Sequence, residues 1–421
     1  MQYRREIDGL RAVAVIPVIL FHAGFTIFSG GYVGVDIFFV ISGYLITSII
    51  ISELDQGKFS ILKFYERRAR RILPALFFVM LFCIPFAWIW MLPSQFLDFS
   101  QSLIAVSLFV SNILFWQETG YFAAASEEKP LLHTWSLAVE EQYYMLFPIF
   151  LILLWRFGRN PIFYSILVIS IFSLLLSEWG WRNAPSANFY LAPSRVWELL
   201  AGSICAFLQF NKTQKASNIL SASGLILIVF AIFYYGEDTP FPSVYGLVPV
   251  VGTALIILYG SHDTWVAKLL SMKAFVGIGL ISYSAYLWHQ PLFAFARIRS
   301  LTPPEQWLMM LLAVASLILA YLSWRYVEYP FRKRTFPSLP SQRAIFSTAS
   351  VISAAFIILG LYGHFEDGLK NRLNPLPGYT DIKSDFAKID NGWCFYSIDT
   401  LRYLKGGDDA LNCYVGVDLS D

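Results

Sequence analysis

Arg11 and His22 stand at the two ends of Arg11-Ala-Val-Ala-Val-Ile-Pro-Val-Ile-Leu-Phe-His22, with Asp8 just ahead of them. Read as a helix, the eleven steps between them make about three turns and span about 16 Å, so a permanent cation and a titratable imidazole face the same way at two depths. The residues between are apolar, and an ionisable group in such a run is costly enough to mark a functional site by default. Anion binding suits the arginine end, and proton transfer suits the histidine end. Pro17 threatens a kink that would change the relative facing, and a satisfied packing imidazole is the plain alternative for His22.

The next apolar run carries Asp36 about one turn in, within Gly34-Val-Asp-Ile-Phe-Phe-Val-Ile-Ser-Gly43, where the small pair Ser42-Gly43 permits close helix approach. At the depth of His22, this carboxylate is expected to hold one imidazole nitrogen so that the other takes a proton. The alternative is a charge at a helix N-terminus or a structural partner. A third cluster, Leu131-Leu-His-Thr-Trp-Ser-Leu-Ala-Val-Glu-Glu-Gln-Tyr-Tyr144, offers Trp135 and Ser136 as substrate contacts and two adjacent acids. Adjacent residues point about 100° apart, so at most one acid faces a given cavity. Glu141 is the catalytic candidate, Glu140 a substrate contact, and a salt bridge from the pair to Arg195 the structural alternative. His289, in Tyr286-Leu-Trp-His-Gln-Pro291, falls at similar depth and is a further substrate contact, or packing. Arg68 and Arg71, three apart in a basic run, share a helix face and suit bidentate clamping of phosphate at the level of Arg11. Charge that merely sets topology is the competing reading.

These residues need an apolar frame, and the composition supplies one. The chain is 57% hydrophobic and 14% charged, with a mean hydropathy of +0.56, which predicts an all-α polytopic membrane protein rather than several soluble domains. Twelve apolar segments run from Gly9–Phe25 to Ala344–Tyr362. Basic clusters at Arg4-Arg5, Lys63 to Arg71, Arg156 and Arg159, Lys212 and Lys215, Lys268 and Lys273, and Arg332-Lys333-Arg334 mark the cytoplasmic side. Those marks fail to alternate if every segment crosses. Leu97 to Trp116, laden with Asp98, Ser100, Gln101, Ser102, Ser107, Ser111 and Asn112, is therefore expected to be re-entrant or interfacial. About eleven crossings follow, with a cytoplasmic N-terminus and residues 364–421 outside.

The net charge of +2 carries no information about partners, the basic clusters all abut apolar runs, and there is no nucleic-acid motif. Neither Cys-x-x-Cys nor His-Glu-x-x-His occurs, so no metal site is expected. Cys83 and Cys205 read as small core residues, and Cys394 and Cys413 as a disulfide in the hydrophilic tail.

Several of these motifs in order resemble the acyltransferase 3 family of bacterial membrane O-acyltransferases, particularly surface-polysaccharide acetylases with a fused SGNH-type domain. The resemblance covers about Arg5 to Arg334 and rests on Arg11-x10-His22, Phe38-Phe-Val-Ile-Ser-Gly43, Arg68-x-x-Arg71, His133-Thr-Trp-Ser136 with Glu140-Glu141-Gln142, and Tyr286-Leu-Trp-His-Gln-Pro291. It implies acyl-CoA as a cytoplasmic donor substrate, with no permanently bound cofactor, and a carbohydrate hydroxyl as acceptor on the other side. His22 is then the essential imidazole, and Arg11, Arg68 and Arg71 are donor-binding positions. The implied organisation is a membrane domain over 1–335, a linking transmembrane helix over 336–363, and over 364–421 the start of an SGNH-type domain lacking its Gly-Asp-Ser and Asp-x-x-His motifs.

The expected activity is transfer of an acyl group, acetyl in the first instance, to a surface glycan such as O-antigen or a lipid-linked glycan. The protein is then multi-pass in a bacterial inner membrane, among its lipids, with its C-terminus periplasmic. His22 acts as general base or forms an acyl-imidazole. A proton-coupled transporter or lipid-linked sugar flippase is the rival class, against which the chain shows no inverted repeat.

Overall fold

The computed structural model describes residues 3–119, 126–210, 215–236, 238–300, 302–333 and 341–372. Cys394, Cys413 and the rest of the tail lie outside the described residues. The chain divides into units 1–369 and 370–421, and of the second only the short turn Lys370–Arg372 is described.

Among the described residues the elements are helices and turns, without a strand. The helices are α1 Arg5–His22, α2 Gly34–Asp55, α3 Ile61–Trp90, α4 Pro93–Ser107, α5 Ser111–Gln117, α6 Thr134–Trp155, α7 Arg159–Asn183 and α8 Pro185–Tyr190. They continue with α9 Ala192–Gln209, α10 Asn218–Tyr234, α11 Leu247–Tyr259, α12 Trp265–Leu270, α13 Lys273–Arg299, α14 Gln306–Ser323, α15 Tyr329–Arg332 and α16 Gln342–Phe365. A π turn over Trp324–Glu328 joins α14 to α15.

Seven helical segments among the described residues are long and apolar enough to cross a membrane, those of α2, α3, α6, α7, α9, α14 and α16. The shorter apolar α10 and α11, with the charged α1 and α13, complete the helices that correspond to the expected crossings. The protein is an all-α, multi-pass membrane protein.

Helix starts follow local chemistry. Ser60, Ser217, Thr264 and Ser341 each accept a backbone N–H of the helix that follows, and α4 opens with Pro93 at its first turn. Pro17 does not break α1, which runs unbroken from Arg5 to His22. Arg11 and His22 therefore keep the common face expected of them.

Glycine sets how closely the central helices cross. A methyl on Gly43 would come within 1.8 Å of the Leu199 carbonyl oxygen, and one on Gly202 within 2.0 Å of that of Val40, so α2 and α9 meet backbone to backbone. In the same way a methyl on Gly279 of α13 would come within 1.8 Å of the Asp8 carbonyl oxygen on α1. These two pairs are the most extensive helix packings in the bundle. They fix the helices that carry Arg11, His22, Asp36, Arg195 and His289.

The polar segment around Leu97 to Trp116 forms a helical hairpin, α4 and α5. Its turn places Phe109 at φ 55°, a left-handed conformation that a bulky residue adopts only when held. The hold comes from Gln142, eight residues into α6, whose Nε2 donates to the Phe109 carbonyl at 3.0 Å. At the hairpin's open end Lys129 pairs with Glu118 at 2.5 Å and lies 3.9 Å from Asp98. Both arms thus return to one loop, as a re-entrant segment does. Burial raises the Glu118 carboxyl above its ordinary range, and the Lys129 ammonium opposes that rise.

Candidate active site

α1 sets the site's length. The connection between α1 and α2 folds back on α1, where Gly31 meets Pro17 and Gly34 meets Ala14, so the start of α2 lies beside α1, with α13 packed on α1 and α6 on α2. The bundle then has an arginine end and a histidine end. Arg159 pairs with Asp55, the last residue of α2, whereas Arg297 bonds both Glu127, at 3.0 Å, and the His22 carbonyl, at 2.6 Å. Glu127 and Arg159 accordingly lie at opposite ends.

At the arginine end a cavity of about 220 Å³ is lined by Arg11, Arg68 and Arg71 together with Ser42, Glu140, Tyr144, Ser136 and Tyr286. The three arginines expected to share a level do converge. Arg68 lies over the Tyr144 ring at 4.3 Å, with its Nε buried and lacking a hydrogen-bond partner, and Arg11 keeps Asp8 at 3.6 Å. Three guanidinium groups line one space against the single carboxylate of Glu140, which leaves a surplus of positive charge that a bound anion would offset. Arg332 adds its charge near Arg11 and Arg71.

At the histidine end a second cavity, of about 310 Å³, is lined by His22, His133, Arg195, Gln290 and Thr239 and by the rings of Tyr32, Trp135, Phe189 and Phe241. Its polar groups are few and its walls largely aromatic, a composition that suits the apolar faces and hydroxyl edges of a sugar. Arg195 is clasped by rings on three sides, 5.7 Å from Phe39, 5.5 Å from Trp135 and 5.2 Å from Phe241. Val35 and Tyr286 line both cavities. The wall between the two spaces is therefore about one side chain thick.

His22 Nδ1 lies 2.9 Å from the Val18 carbonyl. A carbonyl only accepts, so Nδ1 carries the proton and Nε2 presents its lone pair. The ring stands 5.1 Å from that of His289, which in turn stands 5.5 Å from that of His133. His289 is held the same way, Nδ1 on the Tyr286 carbonyl at 2.6 Å, and its Nε2 is buried without a partner.

Two expectations and one structural alternative are corrected. Asp36 does not hold the His22 imidazole. It lies 3.6 Å from Arg195, which also takes Glu198 at 3.3 Å, and all three are buried. A permanent cation across the α2–α9 contact outcompetes an imidazole whose Nδ1 a backbone carbonyl already occupies. Second, Arg195 forms no bridge to Glu140 or Glu141, since Asp36 and Glu198 claim it. Third, Glu140 rather than Glu141 faces the cavity: it lines the arginine space and accepts from Ser42 and, at 3.1 Å, from Tyr144. Glu141 lines neither cavity and has a buried, unbonded Oε1.

Trp135 lines the histidine cavity and Ser136 the arginine cavity, so these neighbours serve opposite sides of the wall. His289 lines neither and stands behind His22 and His133. Sequence reasoning missed His133, Tyr286, Gln290 and Glu198 as site residues. For His133, Tyr286 and Gln290 a signal existed, because they belong to the motifs around Trp135 and His289. Cys83 and Cys205 are buried free thiols, as expected. Among the described residues no cluster suits a metal ion.

A family model described as an acyltransferase domain matches residues 4–325. The chain is 35% identical over 354 residues to a protein named peptidoglycan O-acetyltransferase OatA of Listeria monocytogenes, covering 80% of this chain and 57% of that protein. It is 34% identical over 391 residues to O-acetyltransferase OatA of Staphylococcus aureus strain MRSA252, covering 87% of this chain and 64% of the relative. The chain thus spans about three fifths of the length of these relatives. No solved structure matches.

Proposed function

Because this chain belongs to the acyltransferase 3 family over residues 4–325, we propose that it transfers an acetyl group from acyl-CoA, bound at the arginine end, to a hydroxyl of a glycan that enters at the histidine end. The observation that carries this reading is the pair of cavities sharing Val35 and Tyr286. One is cationic and the other aromatic with two histidines, and together they span the length of α1 from Arg11 to His22. Acyl-CoA has the matching form, an anionic head with a long thin thioester arm about equal to that span.

Arg11, Arg68 and Arg71 hold the donor's phosphates, and the arm lies past Tyr286 so that the thioester carbon stands beside His22. His22 Nε2 removes the proton of the sugar hydroxyl as its oxygen attacks that carbon. The carbon–sulfur bond breaks, the thiolate leaves and takes up the proton, and the products are the O-acyl sugar and the free thiol. General-base help of this kind contributes on the order of 10²–10⁴-fold. His289 positions His22 from behind, and Trp135, Phe189 and Phe241 supply stacking surface for the sugar.

The arginine end is then cytoplasmic and the histidine end extracytoplasmic. Peptidoglycan is favoured over O-antigen as the acceptor, on the printed name of the Listeria relative. The purified full chain in lipid nanodiscs, given radiolabelled acetyl-CoA, is expected to release free thiol only with added glycan strands and to label those strands. Thiol release without glycan labelling contradicts the proposal as bare thioester hydrolysis, and transport of a glycan with no thiol release and no acetylated product contradicts it in favour of the transporter class.

A further inference from the structure

α16 is fastened to the bundle near both ends and stands off between them. At the arginine end Arg70 of α3 donates to the Ser341 carbonyl at 3.4 Å. Toward the other end, methyls on Gly360 and Gly363 would come within 2.5 and 2.1 Å of Ser100 of α4, so the helices touch directly there. Between these points α3, α16, Val327 of the π turn and Phe331 of α15 line a groove of about 540 Å³. It runs along α3 from Ala69 to Ile84, about 22 Å, and Thr348 is its one polar lining residue.

α3 and α16 both qualify as membrane spans, so hydrocarbon rather than water is the medium that fills such a groove. Its mouth at the arginine end is basic. Phe331 is followed by the exposed Arg332 and Lys333, and Ile345 is preceded two positions earlier by the exposed Arg343. The acids nearest in sequence are buried and engaged, Glu66 with Arg70 at 2.9 Å and Glu328 with Ser284. The exposed charge at the rim is positive, and a length of about 22 Å exceeds half of a hydrocarbon core about 30 Å thick. A chain from the leaflet at that end fits whole.

We propose that this groove holds an acyl chain of an anionic glycerophospholipid whose phosphate rests among Arg332, Lys333 and Arg343. The site is separate from both cavities and its existence does not depend on the acetyl-transfer reading. Arg332 lies near enough to Arg11 and Arg71 for its charge to act on theirs.

The test is native mass spectrometry of the full chain, titrated with dioleoyl phosphatidylglycerol or dioleoyl phosphatidylcholine. Phosphatidylglycerol adducts are expected at concentrations on the order of tenfold lower. Ala349→Trp, which fills the groove, is expected to remove the preferred adduct. Lys333→Gln with Arg343→Gln is expected to abolish the preference and leave a weak adduct of both lipids. Ala355→Phe replaces Ala349→Trp should the latter fail to elute as a single folded species. Equal adducts of the two lipids, a preference that survives both groove filling and charge removal, or a two-chain mass that groove filling abolishes would each overturn the proposal. The last would assign this face to a second copy.

Discussion

The phenol of Tyr286 and the hydroxyl of Ser136 lie 2.7 Å apart in the wall between the arginine cavity and the histidine cavity. The same phenol donates to the His133 carbonyl at 3.1 Å, and its ring stands 5.3 Å from that of His289. One side chain of α13 thus ties the start of α6 to the histidine cluster, at the point where the two spaces adjoin.

Tyr286→Phe keeps the ring and removes the hydroxyl, and Ser136→Ala removes its partner. Each is expected to slow acetyl transfer on the order of tenfold, the equivalent of one lost buried hydrogen bond. Acyl-CoA affinity should change little. Because the two groups act as a unit, the double variant should be barely slower than either single one. Rates from a double-mutant cycle that multiply independently would show that the pair is not a unit.

The donor arginines make a paired prediction. Arg71→Lys keeps the charge and loses the planar fork, so acyl-CoA binding should weaken on the order of tenfold. Arg71→Ala should weaken it further while raising the melting temperature of the ligand-free protein, because it relieves repulsion from Arg11 and Arg68. A titration that finds unchanged affinity in Arg68→Ala and Arg71→Ala would reduce these residues to topology.

Asp36 acts on the fold through Arg195. Asp36→Ala leaves Arg195 paired with Glu198 alone, one charge against one, and is expected to cost about 1–3 kcal/mol, the order of one lost buried polar contact. Asp36→Asn should be milder, and in it the rate-against-pH curve should keep the wild-type inflection, since Asp36 does not touch His22. A shifted inflection in Asp36→Asn would restore the contact that the structure denies.

The α4–α5 hairpin depends on Lys129. Lys129→Met leaves Glu118 and Asp98 facing one another without a cation, so amide exchange over 93–119 should quicken. With the cation gone, burial and the mutual repulsion of the two carboxylates both favour the neutral forms. Lowering the pH protonates them, so the stability deficit of Lys129→Met should shrink as pH falls from 7 toward 5. A deficit that is constant across that range would mean the carboxylates are not what the lysine holds.

Much of this arrangement was legible in the chain. The apolar runs marked the long helices because lipid leaves a spanning backbone no other way to satisfy itself. The polar load of Leu97 to Trp116, set against the charge marks, gave away the hairpin. Arg11, His22, Arg68 and Arg71 could be placed by helical arithmetic within single elements. What failed were choices between elements. Asp36 had His22 and Arg195 within reach at similar depth, and only the glycine-closed contact of α2 with α9 decides for Arg195. Glu140 and Glu141 differ by about 100° of rotation, and sequence fixes that angle between them but not where the cavity lies. His133 and Tyr286 lie within the motifs yet carry no signal of their own in sequence, because their roles arise from a cluster assembled by three helices.

The central claim rests on His22, and the direct measurement is transfer of radiolabelled acetyl from acetyl-CoA to glycan strands by His22→Ala, with acetyl-CoA binding measured on the same preparation. The arginines that hold the donor lie about 16 Å away along the same helix, so binding should stay close to wild type. Transfer should fall on the order of 10²–10⁴-fold, with His289→Ala, which removes only the ring behind His22, falling less. Wild-type transfer by His22→Ala, with binding intact, would contradict the account.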